Sequence, residues 1–339
     1  MFDIFYNDKG MMRKYFSIIL ILCALATTSY GQRKETFRAF EDSIVHLHRE
    51  ILNENNAILR YQKNEKLQQL LRDVLEQRNS FNYNFDSIKT ISILCSPDKK
   101  VRIFTWYLID DNGMHDHFGF IQAYHSEKGK YVVYPLTDCW SKITNPMTQS
   151  LSPEHWFGAL YTQLIQVKDE EKTYYTLLGR NGGNIFSKYY LIEVLHFAHD
   201  RPVFGANIFR NYGKRNLRIL FEQAAVGYFH LAYEKQGVVQ TSDKKKNANT
   251  LDTLYVNMII FDRLIPMDES LQKLPQYYVG EASLNDAFIE QNGKWYFRTD
   301  VLGRSPDVDN SRRNRNSGEE EIPIHEKKRN NIYYKPEKR

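Results

Sequence analysis

From Phe81 onward the chain is written as short runs of β-branched and aromatic residues separated by turn chemistry, and helical periodicity largely disappears. Two Asn-Gly pairs mark hairpins most firmly. Asn112-Gly113 joins the run Val101 to Ile109 with Met114 to Tyr124, and Asn292-Gly293 joins Ala287 to Glu290 with Lys294 to Arg298. A type I′ turn needs positive φ at both central residues, which Asn and Gly tolerate, so that turn is expected at each pair. Further strands are expected at 131–136, 158–166, 174–178, 189–197, 217–221, 228–233 and 258–264. Connections this short, and so rarely helical, exclude a doubly wound parallel sheet or a (β/α)₈ barrel and imply an antiparallel meander. A propeller-like array, a sandwich and a strongly bent sheet all satisfy the pattern.

The preceding segment reads differently. Phe37, Phe40, Ile44, Leu47 and Ile51 recur three and four apart, and so do Leu67, Leu70, Leu71, Val74 and Leu75 after an interruption at Asn53 to Asn56. Two such stripes predict a helical hairpin packed on the sheet. The fold class is therefore mainly β, in the α+β sense. Its expected organisation is a leader at 1–31, helices at 32–80, an antiparallel β domain at 81–302 and a tail at 303–339.

Within the leader, Arg13 and Lys14 precede the apolar run Tyr15 to Ala26, and Ser29 and Gly31 offer the small residues of a cleavage site. That order is the signature of a secretory signal peptide, with Gln32 opening the mature chain. The apolar run is well short of the ~20 residues a membrane span requires, so no transmembrane segment is expected after cleavage. Cys23 raises lipidation as an alternative, against which stands the bulky Leu22 before it. Charge is nearly balanced: of 46 basic and 41 acidic residues, the tail takes ten and seven and the first fourteen residues three and two, leaving 33 against 32. No field exists to draw in a phosphate backbone, which excludes nucleic acid as the default partner. The tail and the Lys-rich segment Gln236 to Thr250 read as solvated, unstructured chain.

Ser96-Pro97-Asp98-Lys99 followed by Arg102-Ile103, Phe118-Gly119-Phe120-Ile121-Gln122, Tyr175-Thr176-Leu177-Leu178-Gly179 and Asn292-Gly293-Lys294-Trp295 resemble a family of uncharacterised exported proteins of Gram-negative bacteria, over about residues 80–302. The resemblance implies export and a β-rich body. It brings no assigned activity and no catalytic residues.

Local catalytic motifs are absent: there is no G-x-S-x-G, H-E-x-x-H, Walker A, G-x-G-x-x-G or C-x-x-C. Three S-x-x-K matches, opening at Ser96, Ser242 and Ser270, are what chance supplies in a Lys-rich chain. The most informative cluster is His115-Asp116-His117. On a strand the two imidazoles share a face while Asp116 opposes them, and Asp110 across the hairpin could complete a three-ligand metal site. Exposed strand-edge histidines are the simpler reading. Arg180-Asn181-Gly182-Gly183-Asn184 could line a ligand-binding nest of backbone amides, or merely close a tight hairpin. Phe104, Trp106, Tyr107, Tyr174 and Tyr175 offer stacking platforms for sugars, although strand aromatics ordinarily fill cores. Cys95 and Cys139 are the cysteines left after leader removal. An oxidising compartment would permit a disulfide between them, and two buried thiols fit as well.

The leading expectation is thus a non-catalytic binding or envelope-associated module, periplasmic or outer-membrane associated, whose partner is an envelope protein or glycan. One alternative is a metal-dependent hydrolase centred on His115 and His117. The other is a structural protein that docks a partner through its N-terminal helices. No cofactor is selected by the sequence.

Overall fold

The computed structural model describes residues 35–170, 172–239 and 253–301. The leader at 1–31, the tail at 303–339 and residues 240–250 of the Lys-rich segment lie outside the described residues. Among them are two helices and three essentially antiparallel sheets, none closed into a barrel, so the fold is mainly β and α+β. None of the described helices is long and apolar enough to cross a membrane. The chain divides into two compact units, and the division cuts through the 81–302 span.

The first unit comprises the described residues up to Trp140, with Pro153–Tyr161 and His199–Arg201. Helix α1 covers 35–52 and α2 covers Ala57–Leu75, which starts where the Asn56 side chain accepts the Leu59 amide at 3.1 Å. Strands β1 (Ser92–Cys95), β2 (Val101–Ile109), β3 (His115–His125) and β4 (Lys130–Thr137) form a sheet in sequence order. The helical stripes bury Phe37, Ile44, Ile51, Leu67, Leu71 and Val74 in one core with Phe104, Trp106, Leu108 and Phe120 of β2 and β3. Each such side chain contributes about 1.5–3 kcal/mol of burial. Two polar contacts tie the helices to this face: Trp106 Nε1 donates to Asn64 Oδ1 at 2.8 Å, and the Tyr61 hydroxyl to Asp116 at 2.5 Å. Pleating then sends the alternate residues Tyr107, His115 and His117 to the opposite face.

The second unit comprises the described residues of Ser141–Ser152, of Thr162–Ala198 and from Pro202 on. One sheet runs β10 (Ile219–Ala224), β7 (Ser187–Ala198), β6 (Thr173–Asn181), β5 (Leu160–Lys168), with β8 (Arg201–Phe204) also on β7. The other runs β11 (Leu231–Val239), β12 (Thr253–Pro266), β13 (Tyr278–Gln291), β14 (Lys294–Arg298), β9 (Phe209–Arg210), the last pair parallel. Leu178, Ile192, Val194 and Phe221 of the first share a core with Ile259, Phe261, Phe288 and Trp295 of the second, the packing of a sandwich. On β7, fully buried Glu193 meets Arg218 at 2.7 Å. Arg218 also donates to the carbonyls of Pro146, Gln149 at 2.8 Å and Phe204 at 3.2 Å. Burial pushes the Glu193 carboxyl up, and the guanidinium opposes that shift.

Two local expectations change, and one turn forms as expected. At Asn112-Gly113 only Gly113 takes positive φ, and its amide donates to Asp110 O at 3.1 Å, so the turn is not type I′. The Asp110 side chain explains it, because that carboxylate captures the Asn112 and Met114 amides and tightens a longer loop. Asn292 and Gly293 both take positive φ, as type I′ requires. Residues 236–239, read as loop, continue β11, whose Gln236 is buried and pairs with Val256.

Candidate functional site

The site is built on the sheet face opposite the helices. His115 and His117, two apart on β3, share that face, and β2 presents Tyr107 directly across from His117 in register. The Tyr107 and His115 rings stack with centroids 5.0 Å apart, and the His115 and His117 rings lie 6.3 Å apart. Trp156 stands perpendicular to His117 at 6.4 Å and is fully buried. Trp140 completes the rim, its indole N–H donating to the His115 carbonyl at 3.3 Å. Tyr107, His115 and Trp140 are half-buried.

His117 itself is nearly sealed and fixed by one residue. The Asp138 Oδ2 atom accepts the His117 backbone amide at 2.9 Å and lies 2.9 Å from Nδ1, while Oδ1 accepts the Trp140 amide at 3.0 Å. A carboxylate without a proton only accepts, so opposite it Nδ1 is the donor of this pair. Asp138 is held in turn by the segment 156–158. It forms a parallel bridge with Trp156, and Gly158, at φ +52°, lies against the carboxylate so closely that any Cβ would overlap it. Trp156 is locked by its N–H bond to the Tyr161 hydroxyl at 2.8 Å.

Asp110 does not join the histidines. Its carboxylate takes the amides of Asn112 at 2.8 Å and Met114 at 2.7 Å, and the Met114 bond is the main reason its pKa is lowered. Among the described residues no group of three or more His, Cys, Asp or Glu side chains is placed to hold a metal. The expected three-ligand centre is therefore not assembled by Asp110, His115 and His117.

The Arg180–Asn184 segment is a self-satisfied hairpin. Asn181 accepts the Gly183 amide at 2.7 Å, and Asn184 accepts those of Phe186 at 2.8 Å and Ser187 at 3.1 Å. The Gly183 and Asn184 amides, which would help line an anion nest, already have partners. Cys95 and Cys139 are free thiols. The expected disulfide is not formed for a topological reason: β1 and β4 are opposite edges of the sheet, three strand spacings of ~4.8 Å apart, whereas a bridge needs Cα atoms within ~7 Å.

Sequence reasoning missed Asp138, Trp140, Trp156 and Gly158. They come from the chain after β4 and from a segment sixteen or more residues farther on, and no spacing rule links them to His117. No protein-family model, curated protein or solved structure matches this chain.

Proposed function

We propose that the chain is an exported, non-catalytic binding module of the Gram-negative envelope, with its ligand seated on the ring face around His117. One observation carries this reading: Asp138 fixes the His117 imidazole through both its backbone amide and Nδ1, beside three half-buried rings. An imidazole that donates through Nδ1 can, when neutral, accept a hydrogen bond at its other nitrogen. Flat aromatic faces cover the C–H faces of a sugar, so a glycan of the envelope is the ligand class that fits the rings packed around His117. Export rests on the leader motif and on the resemblance across residues 80–302.

Calorimetric titration of the purified chain with N-acetylglucosamine oligomers and with soluble peptidoglycan fragments tests the proposal. Saturable binding, weakened about tenfold in W140A and in H117A, a loss of ~1.4 kcal/mol, is the expected result. No binding to any of these glycans would retire it. Stoichiometric zinc uptake and hydrolysis, both lost in H115A/H117A, would favour the metal-dependent alternative.

A further inference from the structure

The second unit exposes large apolar side chains on two adjoining loop tips. Between β6 and β7 stand Ile185 and Phe186, 64% and 68% exposed; after β10 stand Val226 and Tyr228, 89% and 71% exposed. The tips are neighbours, because Ala224 pairs with Ser187 and the Ala225 amide donates to the Phe186 carbonyl at 2.9 Å. Both loops are held in place. Asn184 takes the Phe186 and Ser187 amides, Gln223 Nε2 donates to Gly227 O at 3.0 Å, and the Gly280 amide donates to Tyr228 O at 3.1 Å. A short turn, Pro275–Tyr277, packs on β10 and β7 and adds the exposed Leu274 and Tyr277.

Behind the first tip lie Arg180 and Lys188, the last outward cation of β6 and the second residue of β7. Neither has an acidic partner among the described residues. Burial and the Arg180 charge both lower the Lys188 pKa, so the pair would gain from an anion. The nearby Glu222 receives the Tyr189 hydroxyl at 3.1 Å.

We propose that these two tips are a membrane-surface anchor: Ile185, Phe186, Val226 and Tyr228 enter the headgroup–acyl boundary of an anionic bilayer while Arg180 and Lys188 meet lipid phosphates. Apolar side chains projecting from turns suit a deformable lipid surface, whereas a stable protein contact wants a patch of about 800 Å² on each partner. Cations set directly behind the apolar tip lie at the depth where phosphates are found. The inference does not depend on the ring face of the first unit.

Sedimentation of the full chain with phosphatidylglycerol-containing vesicles, against pure phosphatidylcholine vesicles, tests it. The expected result is binding at least tenfold stronger to the anionic vesicles, reduced at least tenfold in F186D/V226D. R180Q/K188Q, which leaves the tips intact, should abolish the lipid preference. Because the apolar leader is common to all variants, equal binding by all three proteins would overturn the proposal, as would no binding by the natural chain. In F186W, fluorescence should shift to the blue and be quenched by brominated lipid; an unchanged spectrum overturns insertion. A dimer by size-exclusion mass that F186D/V226D dissociates, without vesicle binding, would assign the patch to a second copy instead.

Discussion

His48 on α1 is 2% exposed, its Nδ1 lies 2.5 Å from the Thr90 hydroxyl, and its Nε2 is buried without a partner. Burial lowers its pKa from 6.5 to about 4. Between those values the unfolded chain binds more protons at this residue than the folded one, so stability falls as pH drops from about 6.5 toward 4. Denaturant titrations across that range should show a loss on the order of 2–3 kcal/mol that H48L lacks. Gly158 supplies a second residue-scale test. G158A places a Cβ on the Asp138 carboxylate at a strained φ, and should cost about 1–3 kcal/mol and weaken the proposed ligand together. Arg102 shows how a buried cation persists without a carboxylate. Its guanidinium lies about 5 Å from the rings of Phe81, Phe85 and Phe104 and donates to Gln122 and to the carbonyls of Ser80 and Tyr83, while burial lowers its pKa to about 10.

At the scale of elements, turns differ in what they demand. Gly293 and Gly129 both have positive φ, but a Cβ at Gly293 would come within 2.8 Å of the Asp169 backbone, whereas Gly129 faces open space. G293A should therefore destabilise by clearly more than the ~1 kcal/mol expected for G129A, as read from urea midpoints. The ion pair of β7 gives a sharper contrast. R218M leaves Glu193 buried and unpaired, with an expected loss of about 3–5 kcal/mol, and E193M/R218M should recover much of it. The strands at 101–109 and 294–298, and both helical stripes, were legible because period-2 and period-3.6 burial is a local signal. Strands β1, β8 and β9 were not, since two to four residues contain too little pattern to read. His115 and His117 could be assigned to one face from spacing alone. Asp138 could not, because the bridge from Asp138 to Trp156 is a tertiary contact.

At the scale of the whole molecule, no covalent tie between Cys95 and Cys139 constrains the chain. Adding reductant should leave the melting temperature unchanged, and a thiol reagent should modify the exposed Cys95 before Cys139. The alternation of β2 and β3 has a further consequence. On both strands the even-numbered Phe104, Trp106, Leu108, Phe118 and Phe120 pack under the helices, whereas the odd-numbered Tyr107, His115 and His117 form the ring face. Parity of residue number thus partitions two jobs within one ribbon. A library randomised at Tyr107 and His115 would explore new specificities on an undisturbed chassis, and selection for thermal tolerance at even positions would proceed without retuning recognition.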